Sequence, residues 1–173
     1  IGAANPKGLK SGSFGVAASF SLHPLKNLSV YGDGGIITTN ESEIAKKVTL
    51  LRNHGLENRD NSKIWGFNSR LDEMQAAIGL IKLKYIDKWT DRYIEIAKLY
   101  SEKITEKVSK PITKPGYKDV FHNYIIKVPT MSRDNIMKEL SKVGIETKIH
   151  YPIPLHLQEC ADSLGYKEGD IPN

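Results

Sequence analysis

Cysteine occurs once, at Cys160, which excludes an intrachain disulfide framework and a thiolate-rich zinc site. Its plain reading is a small packing residue, buried or half-buried. No apolar run is long enough to cross a bilayer, and the opening Ile1-Gly2-Ala3-Ala4 has neither a basic leader nor a signal-type apolar core. A soluble, cytoplasmic protein without membrane contact is the expectation. Repeats and low-complexity tracts are missing as well, and 39% hydrophobic with 26% charged residues argues against disorder. The net charge of +5 is not gathered into one basic surface, because acids such as Asp87, Glu95 and Glu102 interrupt the lysines. Interspersed charge of this kind marks a solvated helix face, so nucleic acid is not an expected partner. What remains, at 173 residues, is a chain of one or two modest domains.

Residues 16–20 read as a buried strand and 36–39 as a second one. Asn40-Glu41-Ser42-Glu43 predicts a capping box, with Asn40 accepting from first-turn amides and Glu43 reaching back. Ile44, Val48 and Leu51 continue at helical spacing until Gly55. A polar surface loop is expected over 58–63. From Leu71 the apolar spacing runs through Met74, Ala77 or Ile78, Ile81 and Tyr85, with small residues Ala76, Ala77 and Gly79 allowing close packing. It continues through Ile86, Trp89, Tyr93, Ala97, Tyr100, Ile104 and Val108 with no Pro or Gly from Ile86 until Pro111, predicting one long amphipathic helical stretch. Residues 123–128 and 145–149 read as strands, flanking a helix that Ser132 caps and Gly144 ends.

Lys26 stands between the first apolar run and the cluster Gly32-Asp33-Gly34-Gly35. Pro24 bars regular pairing beyond the first strand, so Lys26 falls on a tight strand-to-strand connection. A lysine held there can be partly desolvated, which favours its neutral amine, and a neutral amine can form a Schiff base with an aldehyde cofactor. The alternative is a solvated turn lysine. The glycines are better explained by turn geometry than as a phosphate loop, since no Gly-Lys-Ser/Thr string follows.

Several motifs then occur in one order: Lys-Ser-Gly-Ser-Phe-Gly at 10–15, Ser-Leu-His-Pro-Leu-Lys-Asn-Leu at 21–28, Gly-Asp-Gly-Gly-Ile-Ile-Thr-Thr at 32–39, Arg-Asn-His-Gly at 52–55, Gly-Phe-Asn-Ser-Arg-Leu at 66–71, Gln-Ala-Ala-Ile-Gly at 75–79, and His-Tyr-Pro-Ile-Pro-Leu-His at 150–156. This ordered set resembles the sugar aminotransferases of the DegT/DnrJ/EryC1/StrS family. The resemblance implies an α/β fold, pyridoxal-phosphate fold type I of the aspartate aminotransferase kind, with a smaller α+β C-terminal domain. It further implies that residues 1–86 belong to the large cofactor-binding domain, and that 87–173 form a linking helix and an incomplete small domain. Ile1 is not an initiator residue and 169–173 is loop-like, so both ends read as cut, with family members continuing on either side.

For the site, the resemblance implies pyridoxal 5'-phosphate as cofactor, with Lys26 as its Schiff-base partner and proton carrier. A histidine at this position marks a dehydrating branch of the family, so a lysine implies amino transfer. The likeness makes Ser21 a ligand of the cofactor phosphate, with a backbone hydrogen bond as the alternative. Asn68 and Arg70 resemble a pair that reaches across a homodimer interface to the neighbour's phosphate; a helix cap and a surface ion pair are their alternatives. His23 is expected to line or support the site. Arg52, Asn53 and His54 can bind substrate or knit the dimer. His150, Tyr151 and His156 resemble a loop walling a sugar-nucleotide pocket, and no further ligand accompanies these histidines at metal-binding spacing. The implied substrates are an amino-acid donor, usually glutamate, and a keto-sugar, commonly nucleotide-linked. An aspartate pairing with the pyridine nitrogen is expected upstream of Ile1.

Overall fold

The computed structural model describes residues 1–129 and 132–171, in two compact units, Ile1–Lys127 and Val128–Asn173. In the first unit, β1 (Ala17–Ser21) and β2 (Gly35–Thr39) form at the expected places and pair antiparallel, with Ala17 opposite Thr39 and Ser21 opposite Gly35. Adjacent strand residues point to opposite faces, and both Ile36 and Ile37 are exposed, at 40% and 52%. The ribbon therefore has apolar surface on two sides. Two strands alone are marginal in water, so this ribbon is built to be covered.

Helix α1 spans Ser42–Leu51, as its apolar spacing predicts, but the capping box does not form. Glu41 is the N-cap and makes no side-chain cap bond, while Glu43 pairs with Lys46 at 2.8 Å. Thr39 organises the turn instead: its Oγ1 donates to the Val16 carbonyl at 2.6 Å and accepts the Glu41 N–H at 3.0 Å.

The long helical stretch is two helices, α2 (Glu73–Leu83) and α3 (Ile86–Lys103). Lys84 N–H and Tyr85 N–H bond to Ile81 and Lys82 carbonyls at 3.2 and 3.0 Å, a tightened turn that closes α2 without Pro or Gly. The next residue, Ile86, is buried with Leu22, Leu28 and Val30, and Ile1 and Leu71 pack against that cluster. Tertiary burial thus fixes a break that local propensity does not announce. Along α3 the buried residues Ile86, Thr90 and Ala97 share one face.

The strand expected at 123–128 is absent. Only an isolated bridge forms there, Ser109 to Lys127, with reciprocal bonds of 3.0 and 2.9 Å. In the second unit α4 (Arg133–Lys142) forms with Ser132 at the N-cap, though without a side-chain bond. No strand forms over 145–149 either; Glu146 and Lys148 pair there at 2.9 Å, and that hydrogen bond and charge lower the Glu146 pKa and raise that of Lys148. Two short 3-10 helices follow, Leu155–Leu157 and Glu159–Leu164. Cys160 is exposed rather than packed, since it lies on the outer side of the second of these while Ala161 is buried. Among the described residues no helix is long and apolar enough to cross a membrane.

Gly144 ends α4 as expected. Its φ is +81°, Ile145 N–H returns to the Leu140 carbonyl at 2.9 Å, and Gly144 N–H bonds to Ser141 at 3.1 Å, a Schellman closure. A Cβ here would touch nothing, so the cost of Gly144→Ala is conformational alone. It should weaken α4 by about 1 kcal/mol. Hydrogen exchange of the α4 amides in the full-length protein should accelerate roughly fivefold; unchanged exchange would contradict the cap.

Candidate active site

Residues 22–34 leave the ribbon as one connection whose backbone closes on itself. Leu22 N–H donates to the Gly34 carbonyl at 2.8 Å, and the Leu22 carbonyl accepts Val30 N–H at 2.9 Å. Side chains of Leu22, Leu28 and Val30 are 2%, 4% and 0% exposed. Each such burial contributes about 2 kcal/mol. Lys26 rides on this braced loop and is half-buried. Its N–H donates to the His23 carbonyl at 2.8 Å, while Nζ has no partner among the described residues.

Ser21, exposed at the end of β1, accepts the His23 N–H on Oγ at 3.3 Å. That is the backbone bond anticipated as the alternative, yet it occupies a lone pair and leaves the hydroxyl proton free to donate. His23 supports the loop from within: Nδ1 accepts the Leu25 N–H at 3.2 Å. Asn27, next to the lysine, donates from Nδ2 to the Val120 carbonyl at 2.9 Å. On the exit side, Lys82 donates to the buried Ser29 hydroxyl at 3.1 Å and lies 4.7 Å over the Tyr31 ring. Sequence reasoning missed the Asn27 and Lys82 contacts, since their partners lie far along the chain.

A second cluster unites His54, Asn68 and Arg70. His54 N–H bonds to the Phe67 carbonyl at 2.8 Å, Phe67 N–H to Leu51 at 2.7 Å and Ser69 N–H to Arg52 at 2.9 Å, with Asn53 and Asn68 bridged. Arg70 Nη1 donates to Asn53 Oδ1 at 3.3 Å. Neither surface alternative holds: Arg70 has a neutral partner rather than a carboxylate, and Asp72, not Asn68, caps α2. His54 adopts φ +57°, uncommon for a non-glycine residue. Leu71, directly after Arg70, packs on the buried cluster beneath the Lys26 loop. Trp65 and Phe67 beside it are 95% and 70% exposed.

His150, Tyr151 and His156 belong to the second unit. The His150 and Tyr151 rings meet edge-on at 4.4 Å, Tyr151 has φ +65°, and His156 meets Tyr166 edge-on at 6.3 Å. An open depression of about 490 Å³ lined by Ile94, Lys98, Ser101, Tyr117 and Phe121 runs along α3 and contains none of the predicted site residues.

A family model, that of the DegT/DnrJ/EryC1/StrS aminotransferases, matches residues 1–173. The chain belongs to this family. Among its relatives, a pleiotropic regulatory protein of Geobacillus stearothermophilus is 44% identical over 165 residues, covering 93% of this chain and 44% of the relative. A dTDP-3-amino-3,4,6-trideoxy-alpha-D-glucose transaminase of Streptomyces venezuelae is 35% identical over 168 residues, covering 96% and 44%. The crystal structure of S. venezuelae DesV in complex with a ketimine intermediate matches with a TM-score of 0.91 at 35% identity, over 98% of this chain and 45% of that one. The chain spans less than half the length of these DegT/DnrJ/EryC1/StrS relatives. The family depends on pyridoxal phosphate and has fold type I, and the chain carries the fold of the corresponding part of its members.

Within this member of the family, Gly55 is the tightest point of the second cluster. Its φ is +72°, Lys63 N–H bonds to its carbonyl at 2.9 Å, and a Cβ would be driven into the Ile64 carbonyl. Gly55→Ala should cost roughly 2–4 kcal/mol and loosen the segments bearing His54, Asn68 and Arg70. Denaturant unfolding of the full-length protein measures the loss; a change under half a kilocalorie per mole would show that this crossing is not tight.

Proposed function

We propose that the full-length protein is a pyridoxal-phosphate-dependent aminotransferase that moves an amino group from an amino acid, with glutamate as donor, onto a keto-sugar carried on a nucleotide, and that it works as a cytoplasmic homodimer. One observation carries this reading: a half-buried lysine whose amine has no partner among the described residues, on a rigidly closed loop, in a chain of an aminotransferase family. The residues fit the cofactor chemically. An amine at Lys26 complements an aldehyde, and the free hydroxyl proton of Ser21, the amide of Asn68 and the uncompensated guanidinium of Arg70 complement a phosphate dianion. When bound, pyridoxal phosphate supplies an aldehyde for condensation and a ring that accepts an electron pair. Lys26 Nζ would take the proton released at the donor carbon and pass it to the cofactor, and in the second half-reaction would carry a proton from the cofactor to the acceptor carbon. The closed loop keeps that nitrogen from wandering, which converts a bimolecular proton transfer into a local one.

The homodimer reading gives Asn68 and Arg70 to the neighbour's phosphate, and His54, His150, Tyr151 and His156 to the sugar-nucleotide. Exposed apolar side chains beside Asn68, Trp65 at 95% and Phe67 at 70%, support a surface that is covered there. In this reading residues 1–86 belong to the large domain and 87–173 to a linking helix and the small domain, with the compact units dividing after Lys127 at the end of that linking segment. An enzyme of the same scaffold acting on another keto substrate is the nearest alternative. A non-catalytic regulator is a further one, favoured by the name of the Geobacillus relative.

Borohydride treatment of the cofactor-loaded full-length protein, followed by proteolysis and mass measurement, should place the cofactor on the peptide containing Lys26. Lys26→Ala should abolish the label and lower transamination by roughly a thousandfold. Cofactor retained without attachment at Lys26 would favour the regulator; attachment without keto-sugar turnover would favour another substrate.

A further inference from the structure

On α2, Gln75, Gly79 and Lys82 follow one another by four and three residues and so share one helix face. All three meet the segment that leaves Lys26. Lys82 contacts Ser29 and the Tyr31 ring, and a Cβ on Gly79 would lie 3.4 Å from Val30 Cγ1. The Gln75 contact is the specific one. Its Oε1 accepts the Tyr31 N–H at 2.7 Å and its Nε2 donates to the Tyr31 carbonyl at 2.7 Å.

Both polar groups of one peptide residue are thus taken by one side-chain amide, much as a neighbouring strand would take them. Flipping the amide would set donor against donor and acceptor against acceptor, so only one orientation satisfies the pair. Tyr31 cannot slide along α2 without losing both bonds together. It also sits between the two closures of the loop, since Val30 N–H reaches the Leu22 carbonyl and Gly34 carbonyl accepts Leu22 N–H. Displacing Tyr31 therefore moves Val30 and Leu22, which are the root of the loop that holds Lys26.

We propose that Gln75 is a positioning residue: it locks the exit of the Lys26 loop to α2 and thereby sets the approach of Lys26 Nζ to an aldehyde. This rests on the reading of Lys26 as the amine that attaches the cofactor. Two variants separate positioning from packing in the full-length protein. Gln75→Leu keeps the approximate size and removes both bonds, whereas Gln75→Glu keeps an acceptor for Tyr31 N–H and faces the Tyr31 carbonyl with a second acceptor.

The measurements are the rate of borohydride-trappable attachment of pyridoxal phosphate to the Lys26 peptide, the visible absorption band of the attached cofactor, and the thermal midpoint of the cofactor-free protein. Attachment should slow by about tenfold in Gln75→Leu and by less in Gln75→Glu, with a displaced band and a midpoint close to wild type. If Gln75→Leu does not fold, Gln75→Glu is judged by the same measures. Wild-type attachment and band in the folded variants, with only the midpoint lowered, would reduce Gln75 to helix-to-loop packing and overturn the proposal. Failure of the wild-type protein itself to attach cofactor at Lys26 would overturn the amine reading, and the role of Gln75 with it.

Discussion

Leu22 is the node on which the rest depends. Its side chain is 2% exposed, its N–H goes to Gly34 and its carbonyl receives Val30 N–H, so one residue is satisfied in its apolar and both its polar groups at the mouth of a connection between strands. A polar excursion such as 23–27 would otherwise be a mobile surface loop. Here it is pulled inward at both legs by Leu22, Leu28 and Val30, and sealed from the helical side by Ile86. Rigid apolar legs and an open polar crown would suit the proposed Schiff-base role of Lys26, because such an amine must be accessible yet unable to sample many directions.

The distribution of buried surface makes the same point by contrast. The fully buried apolar residues of the first unit lie under this loop or on the inner face of α3, while the ribbon leaves apolar side chains bare on opposite faces and the loop beside Asn68 leaves Trp65 almost wholly exposed. A ribbon that is apolar on both faces is one that further layers of structure cover. The exposed surface is compatible with the family's fold type, in which this chain is one part of a longer protein.

Legibility followed the range of the interaction. Helices α1 and α4 and the Gly144 closure are set by neighbours a few residues away, and strands β1 and β2 by pairing across one short connection, so the sequence announces them through spacing and a residue able to hold positive φ. The strands expected at 123–128 and 145–149 are different in kind. Their composition is right, but a strand exists only where a partner pairs with it, and the first of these finds a single bridge at Lys127. The break at Lys84 and Tyr85 was hidden for a related reason: it is decided by the burial of Ile86 against residues more than fifty positions earlier. Of the candidate site, Lys26 and Ser21 stand out in the sequence because they share one short motif, and the structure places them on one connection. Gln75 does not, since nothing in its helix separates a solvated glutamine from one that binds backbone elsewhere in the chain.

Arg70 shows how the second cluster complements the first. A guanidinium paired with a carboxylate would have its charge largely answered, and recruiting it to an anion would mean breaking that pair. Its partner here is instead the neutral oxygen of Asn53, which orients the group without cancelling its charge. Asn53 is in turn fixed by its bridge to Asn68, and His54 by its bond to Phe67. Orientation is therefore supplied by neutral hydrogen bonds, which leave the charge able to serve the proposed phosphate contact. The proposed cofactor, an aldehyde-bearing phosphate, would use that combination: an amine from one rigid loop and, from another, a cation with no carboxylate partner among the described residues. The Lys26 loop is held chiefly by apolar burial and the Arg70 segment by backbone pairing, and Leu71 links the two by packing on the buried cluster.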